Sequence, residues 1–228
     1  MTVHAEWITI AGDVEAWRSI GLTVSPDGIV PLLGTSLRIV SPDLGRGVIG
    51  WSLSGPGPNS PSSVPESGTH DGKNGRPGDA TPSIDGLRTE WVEAGEPTYA
   101  AHASGASSLD HVVVLTPDLE RTSASIAEAT GHELRRVREV GSMRQGFHRI
   151  GERGHGGLIV ELVQRPDIEP GPAAFWGIVL IVDDLDAACE LIGPDRVSAP
   201  KGAVQPGRRI ATLRADAGLD IPVALMTP

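Results

Sequence analysis

The stretches Leu109–Gly131, LDHVVVLTPDLERTSASIAEATG, and Phe175–Gly193, FWGIVLIVDDLDAACELIG, are one pattern written twice. Each opens on a β-branched apolar run, turns through acidic residues and continues as an amphipathic helix. A pattern that recurs along a chain marks a repeated structural unit, and it has to be read before any single element. Three strand-like runs follow the first copy, at 133–140, 144–151 and 157–164, and three follow the second, at 196–200, 208–215 and 220–227. The order is therefore β-α-β-β-β, twice, with PDIEPGP as the crossing. This predicts an α+β fold in which paired βαβββ modules form cupped mixed sheets. A cup of that kind takes a small molecule.

Local signals support the two helices. Thr116 is a suitable N-cap, and Pro117 fits the first helical position, where its missing N–H costs nothing. Asp118 and Glu120 suit the positive end of the helix. Leu119, Ile126 and Ala127 form its apolar face, and Gly131 stops it. In the second copy Asp183 and Asp184 cap a helix running to residue 192. Cys189, the only cysteine, lies on that helix as a small apolar group facing the sheet and excludes an intrachain disulfide.

Upstream the pattern is present but trimmed. Strands are expected at 5–11, 29–33, 36–40, 47–55 and 84–92, with a short helix over VEAWRSIG capped by Asp13. Seventeen of the 29 residues from 55 to 83 are Gly, Pro or Ser, so this stretch cannot repay the entropy of ordering and reads as a flexible insertion. The expected organisation is a degenerate module pair over 1–97, a linker over 98–108 and a complete two-module domain over 109–228.

Composition narrows the function class. The 228-residue chain has a net charge of −10, which disfavours nucleic acid and anionic membrane surfaces. No apolar run nears the length of a membrane span. The expectation is a cytoplasmic protein with a small-molecule ligand, as a monomer or homodimer. GxGxxG and Walker loops, a G-x-S-x-G elbow and an H-E-x-x-H helix are missing, and GERGHGG (151–157) reads as a hairpin turn.

The segments LDHVVVLTPDLERT, GLIVELVQRP, FWGIVLIVDDLDAA and AGLDIPVALMTP resemble the vicinal oxygen chelate superfamily, which includes glyoxalase I, bleomycin-resistance proteins and extradiol dioxygenases. The resemblance covers 109–228 well and 3–97 loosely. It implies metal ligands on the first and last strands of each module. Here those positions hold His111 and Glu161 in the first module but Gly177 and Ala224 in the second. Half of the implied donor set remains, suited to Zn, Ni, Mn or Fe.

Without a metal, the pocket chemistry falls to other groups. Strand alternation puts Arg144, Gly146 and His148 on one face and Gln145, Phe147 and Arg149 on the other, and the sequence does not choose between the faces. Arg144 and Gln145 are candidate ligand clamps, and His148 is a candidate third metal ligand. Arg208 and Arg209 follow a Pro206–Gly207 turn that sends one inward and one outward. Phe175 and Trp176 open the second module as a pocket wall or an interface plug. Three functions stay open: a metal-dependent lyase, isomerase or dioxygenase using His111 and Glu161; a metal-free sequestering protein of the bleomycin-resistance type; and a metal-free enzyme with Glu161 as general base.

Overall fold

The computed structural model describes residues 2–57, 82–96, 98–152 and 157–228. Most of the expected 55–83 insertion, and the centre of the GERGHGG turn, lie outside the described residues. The N-terminal part comprises β1 (His4–Ala11), α1 (Val14–Ser19), β2 (Ile29–Val30), β3 (Ser36–Val40), β4 (Gly47–Ser54), β5 (Ser83–Ile84) and β6 (Leu87–Val92). The C-terminal part comprises β7 (Ala106–Leu115), α2 (Leu119–Thr130), β8 (Arg136–Val140), β9 (Met143–Ile150), β10 (Leu158–Gln164), β11 (Ala174–Val182), α3 (Leu185–Ile192), β12 (Lys201–Gly202), β13 (Arg209–Thr212) and β14 (Val223–Met226).

These strands make two mixed sheets, one in the order β2-β3-β1-β4-β6-β5 and the other β12-β13-β14-β11-β7-β10-β9-β8. In the second sheet each module closes on itself, because its last strand lies parallel beside its first: β10 with β7, and β14 with β11. The two modules join through antiparallel β7 and β11. The first sheet repeats this plan with fewer strands. There β3 lies parallel to β1, β6 parallel to β4, and β1 and β4 join antiparallel. The chain is α+β, with a complete C-terminal module pair and a reduced N-terminal one.

One apolar core holds both sheets. It contains Ile8, Ile10, Trp51 and Leu53 from the first sheet and Val112, Val114, Ile178 and Leu180 from the second. Trp17 of α1, Leu119 and Ile126 of α2 and Leu185 of α3 enter it as well. Successive strand residues alternate faces, so the inner face of each sheet is committed to this core and the outer face is left for solvent and ligands. Trp51 and Phe175 meet edge to face across the join, with ring centroids 5.6 Å apart. The Trp51 indole N–H donates to Thr89 Oγ1 at 2.7 Å. Phe175 is thus the expected interface plug.

A polar clasp sits at the margin. Asp85 and Gly86 form the turn between β5 and β6, and Asp85 adopts a left-handed φ of 47°. Its carboxylate accepts from Arg121 Nε at 2.9 Å and from the Thr122 hydroxyl, and its carbonyl accepts from Ala173 N at 2.8 Å. The first sheet is thereby tied to the start of α2.

Several expectations need correction. The run 84–92 is a hairpin, because Asp85–Gly86 turns the chain where a continuous strand was expected. The strand expected over 29–33 stops at Val30, ahead of Pro31, which has no N–H to offer a ladder. The strand expected over 196–200 is only a bridge between Val197 and Leu213, and pairing resumes at Lys201, beyond Pro200. The N-cap of α2 is Asp118, which accepts from Arg121 N at 2.9 Å. Thr116 instead bonds Thr122 Oγ1 at 2.6 Å, and Pro117 precedes the helix. Strand β7 begins at Ala106, inside the stretch expected as linker.

Trp51 is 1% exposed at the junction of the sheets. Trp51→Ala is expected to lower the unfolding free energy by about 3–5 kcal/mol, the usual range for truncating a buried large aromatic. Urea denaturation followed by far-UV circular dichroism checks this, and Trp51→Phe should cost less.

Candidate functional site

On β7 the chain carries a bulge. Val179 and Leu180 of β11 pair with His111 and Leu109, which leaves Asp110 as the extra residue. A bulge breaks the alternation of side chains, and Asp110 and His111 consequently meet although they are neighbours in sequence. Asp110 Oδ2 lies 2.7 Å from His111 Nδ1. On the other side of the ring, His111 Nε2 lies 3.3 Å from Glu161 Oε2. Glu161 pairs across from Val113 and from Phe147, which puts it on the outer face beside His111.

Two further side chains fix the ends of this row. Gln145 Nε2 donates to Glu161 Oε1 at 2.5 Å. Arg208 Nη1 donates to Asp110 Oδ1 at 3.0 Å, and its Nε donates to the Thr227 carbonyl at 2.8 Å. The sequence Arg208–Asp110–His111–Glu161–Gln145 is thus continuous, and every member is on the outer face of the second sheet. Beside it lies an apolar patch of Val179, Ile181, Ala224 and Met226, separate from the main core.

Electrostatics divide the two carboxylates. Burial pushes the Glu161 carboxyl above the usual carboxylate range, outweighing the pull of His111, Gln145 and Arg138. Burial pushes Asp110 the same way, but the hydrogen bonds and charges of His111 and Arg208 overcome it and hold that carboxyl below its ordinary value. Asp110 is therefore an acceptor only, and Nδ1 carries the proton that joins it to the imidazole. Nε2 is left facing Glu161, the carboxyl that retains a proton more readily.

The remaining expected residues divide by face. Gln145 is in the row. Trp176 is the extra residue of a second bulge, between Phe175 and Gly177, and is 45% exposed. His148 is on the inner face and does not join the site. Its Nδ1 donates to the His132 carbonyl at 2.9 Å and its Nε2 accepts from Ser123 Oγ at 2.9 Å. Burial lowers its pKa, as this neutral, doubly bonded ring requires. Arg144 is turned the same way, with Nη2 2.6 Å from Glu120 Oε1 on α2. Arg209 also leaves the site, because Asp186 on α3 takes its guanidinium at 2.6 Å. Of the two arginines after the Pro206–Gly207 turn, Arg208 is the one aimed at the site, and its partner is Asp110.

Arg138 and Asp110 are the site residues that the sequence reading missed. Arg138 pairs across from Gln145, so it stands on the outer face, and its charge reaches Glu161. The two-residue turn Gly141–Ser142, between paired Val140 and Met143, sets this register and was the available signal. Asp110 had none, because a bulge inside an apolar strand leaves no mark in the pattern.

A divalent metal would find two side-chain donors here, His111 Nε2 and Glu161. Gly177 and Ala224, at the matching positions of the second module, offer none, and Gly177 is close-packed. A Cβ added there would lie 2.5 Å from the Pro222 carbonyl oxygen. Among the described residues no group of three or more His, Cys, Asp or Glu side chains is placed to hold a metal ion. Catalytic zinc ordinarily takes three protein ligands, so the donor set does not fit such a centre.

A raised carboxyl pKa has a defined consequence for stability. The protonated form of Glu161 is favoured by folding, so its contribution is complete below the unfolded value near 4.5 and is lost as pH rises through the folded value. Glu161→Gln keeps the amide contact to Gln145 and removes the buried charge. Its melting temperature is expected to exceed that of the parent at pH 8, with the gap closing towards pH 4.5; thermal unfolding across that range checks the sign.

No family model matches the chain, and no curated protein matches it. Among solved structures it is similar to methylmalonyl-CoA epimerase from Mycobacterium tuberculosis, with a TM-score of 0.45 and 16% identity over 54% of this chain and 89% of that one. It is also similar to a Streptomyces coelicolor methylmalonyl-CoA epimerase variant in complex with 2-nitronate-propionyl-CoA, with a TM-score of 0.44 and 20% identity over 54% of this chain and 97% of that one. A hypothetical protein from Bacillus halodurans matches with a TM-score of 0.41 and 14% identity, over 53% of this chain and 94% of that one. Each likeness spans about half of this chain. The two βαβββ units of residues 106–228 are joined through their antiparallel first strands, β7 and β11.

Proposed function

We propose that this protein is an acid–base enzyme of glyoxalase-like fold that moves a proton on a small, oxygen-rich metabolite, with Glu161 as the proton-transferring group. The observation that carries the reading is the placement of Glu161. It stands 3.3 Å from an imidazole whose far nitrogen is held by Asp110, on a face left open by the core. A carboxyl pushed upward by burial is a better base than a free one and holds the proton it removes.

The step follows from these groups. The Glu161 carboxylate removes a proton from a carbon next to a carbonyl. The C–H bond breaks, its electron pair moves onto the carbonyl oxygen as an enolate, and the proton rests on Glu161 or passes to His111 Nε2. Return of that proton to carbon completes an exchange, a racemisation or an isomerisation. Gln145 fixes the rotation of the carboxylate. Arg138 supplies positive charge for an anionic group of the substrate, and the patch of Val179, Ile181 and Met226 suits its apolar part.

Sequestration without chemistry is the second reading, favoured by the missing donors at Gly177 and Ala224. Proton–deuterium exchange separates the two. Small 2-oxo acids, hydroxyketones and 1,3-dicarbonyl acids are incubated with the protein in D2O and followed by proton NMR. Faster loss of the signal next to the carbonyl is expected for at least one of them. The rate should climb as pH rises through the raised pKa of Glu161, and Glu161→Gln should lower it about 10²–10⁴-fold, the usual worth of a positioned acid–base group. A compound that raises the melting temperature yet never exchanges would replace this reading with sequestration.

A further inference from the structure

The outer face of the first sheet carries its own cavity, of about 230 Å³. It is lined by Thr9, Arg38, Gly50, Ser52, Arg88 and Glu90, with Val40, Leu44, Ile49 and Trp51 completing the wall. Strand register relates it to the site already described. Thr9 pairs with both Arg38 and Gly50, as Val113 pairs with both Glu161 and Gly177. Ser52 pairs with Glu90 as Val179 pairs with Ala224. Arg38 therefore occupies the position that Glu161 occupies in the second sheet, and Glu90 the position of Ala224. The same plan of strands presents a cation where the other sheet presents its acid.

Among the described residues, neither the Arg38 nor the Arg88 guanidinium has an ion pair or a hydrogen bond, whereas Arg121, Arg144, Arg208 and Arg209 all do. Arg88 lies close over bare backbone: a Cβ on Gly50 would fall 3.4 Å from its Cγ and 3.1 Å from its carbonyl oxygen. Ser52 is 1% exposed at the floor, and its hydroxyl reaches Glu90 Oε2 at 3.3 Å. Two planar forks suit a carboxylate or phosphate. The Thr9 hydroxyl adds a donor, Ser52 orients Glu90 by donating to it, and Glu90 accepts from a ligand hydroxyl.

We infer that this cavity is a second small-molecule site, distinct from the row around Glu161, and that it takes a small organic anion carrying a hydroxyl beside its carboxylate or phosphate. The volume suits a metabolite of a few carbons rather than a large cofactor.

Isothermal titration with D-glycerate and with glycerol 3-phosphate tests this and separates the carboxylate from the phosphate form. Saturable binding of at least one is expected, weakened tenfold or more in Arg38→Met and in Arg88→Met. Methionine retains an unbranched stem, and circular dichroism confirms that each variant is folded. Binding should survive in Glu161→Gln, which assigns it to this sheet and separates it from the proposed acid–base site. Absence of binding at a Kd of about 1 mM or tighter for both probes overturns the inference. So does binding that both arginine variants leave unchanged, or that Glu161→Gln abolishes.

Discussion

Burial of Ile8, Ile10 and Trp51 against Val112, Val114, Ile178 and Leu180 in one continuous core commits the inner face of both sheets at once. Each strand has two faces, and the core removes one of them from any other use. What is left is an outer face on each sheet, turned away from the other. His148 and Arg144 show the rule. Both are polar residues of a kind that suits chemistry, yet they fall on the inner side of β9 and serve α2 through Ser123 and Glu120. Gln145, one residue along, falls on the outer side and holds Glu161.

The site itself depends on a departure from that alternation. In a regular strand Asp110 and His111 would face opposite ways. The extra residue in β7 brings them together, and the carboxylate then fixes the imidazole from the side away from Glu161. Arg208 in turn fixes Asp110. The two acids of the row thereby differ in kind: Asp110 faces the Arg208 guanidinium and the His111 ring and is held below the usual carboxylate range, while burial pushes Glu161, beside the same ring and an amide, above it. Acid–base pairs are commonly built by environments that push pKa values apart in this way.

How far this was legible in the sequence follows from which signals are local. The doubled strand–turn–helix, the short helix after Asp13 and the strand at 36–40 rest on periodicity and capping, and they stand in the structure at or near the positions read. His111 and Glu161 were reached through the resemblance, and the pairing that brings them together is a matter of register. The choice of face for 144–149 needed the position of α2, which no pattern inside the strand encodes. The turn at Asp85–Gly86 did carry a signal, since an Asp-Gly pair between apolar runs marks a hairpin, but the run around it reads equally well as one strand. The displaced cap of α2 turned on competition between Thr116 and Asp118, two good cap residues spaced two apart, which only the completed bonds to Thr122 and Arg121 resolve.

The packing at Gly177 has a reach beyond its own position. The Pro222 carbonyl that crowds it is also the acceptor for Ile178 N, at 3.0 Å, so the contact is part of the ladder that carries β14 alongside β11. A histidine could not be placed at Gly177 without moving that strand entry, and β14 carries Ala224, the other vacant donor position. The two absences are mechanically linked. Adding donor side chains at both positions would take a rebuilt strand junction and not a pair of point substitutions.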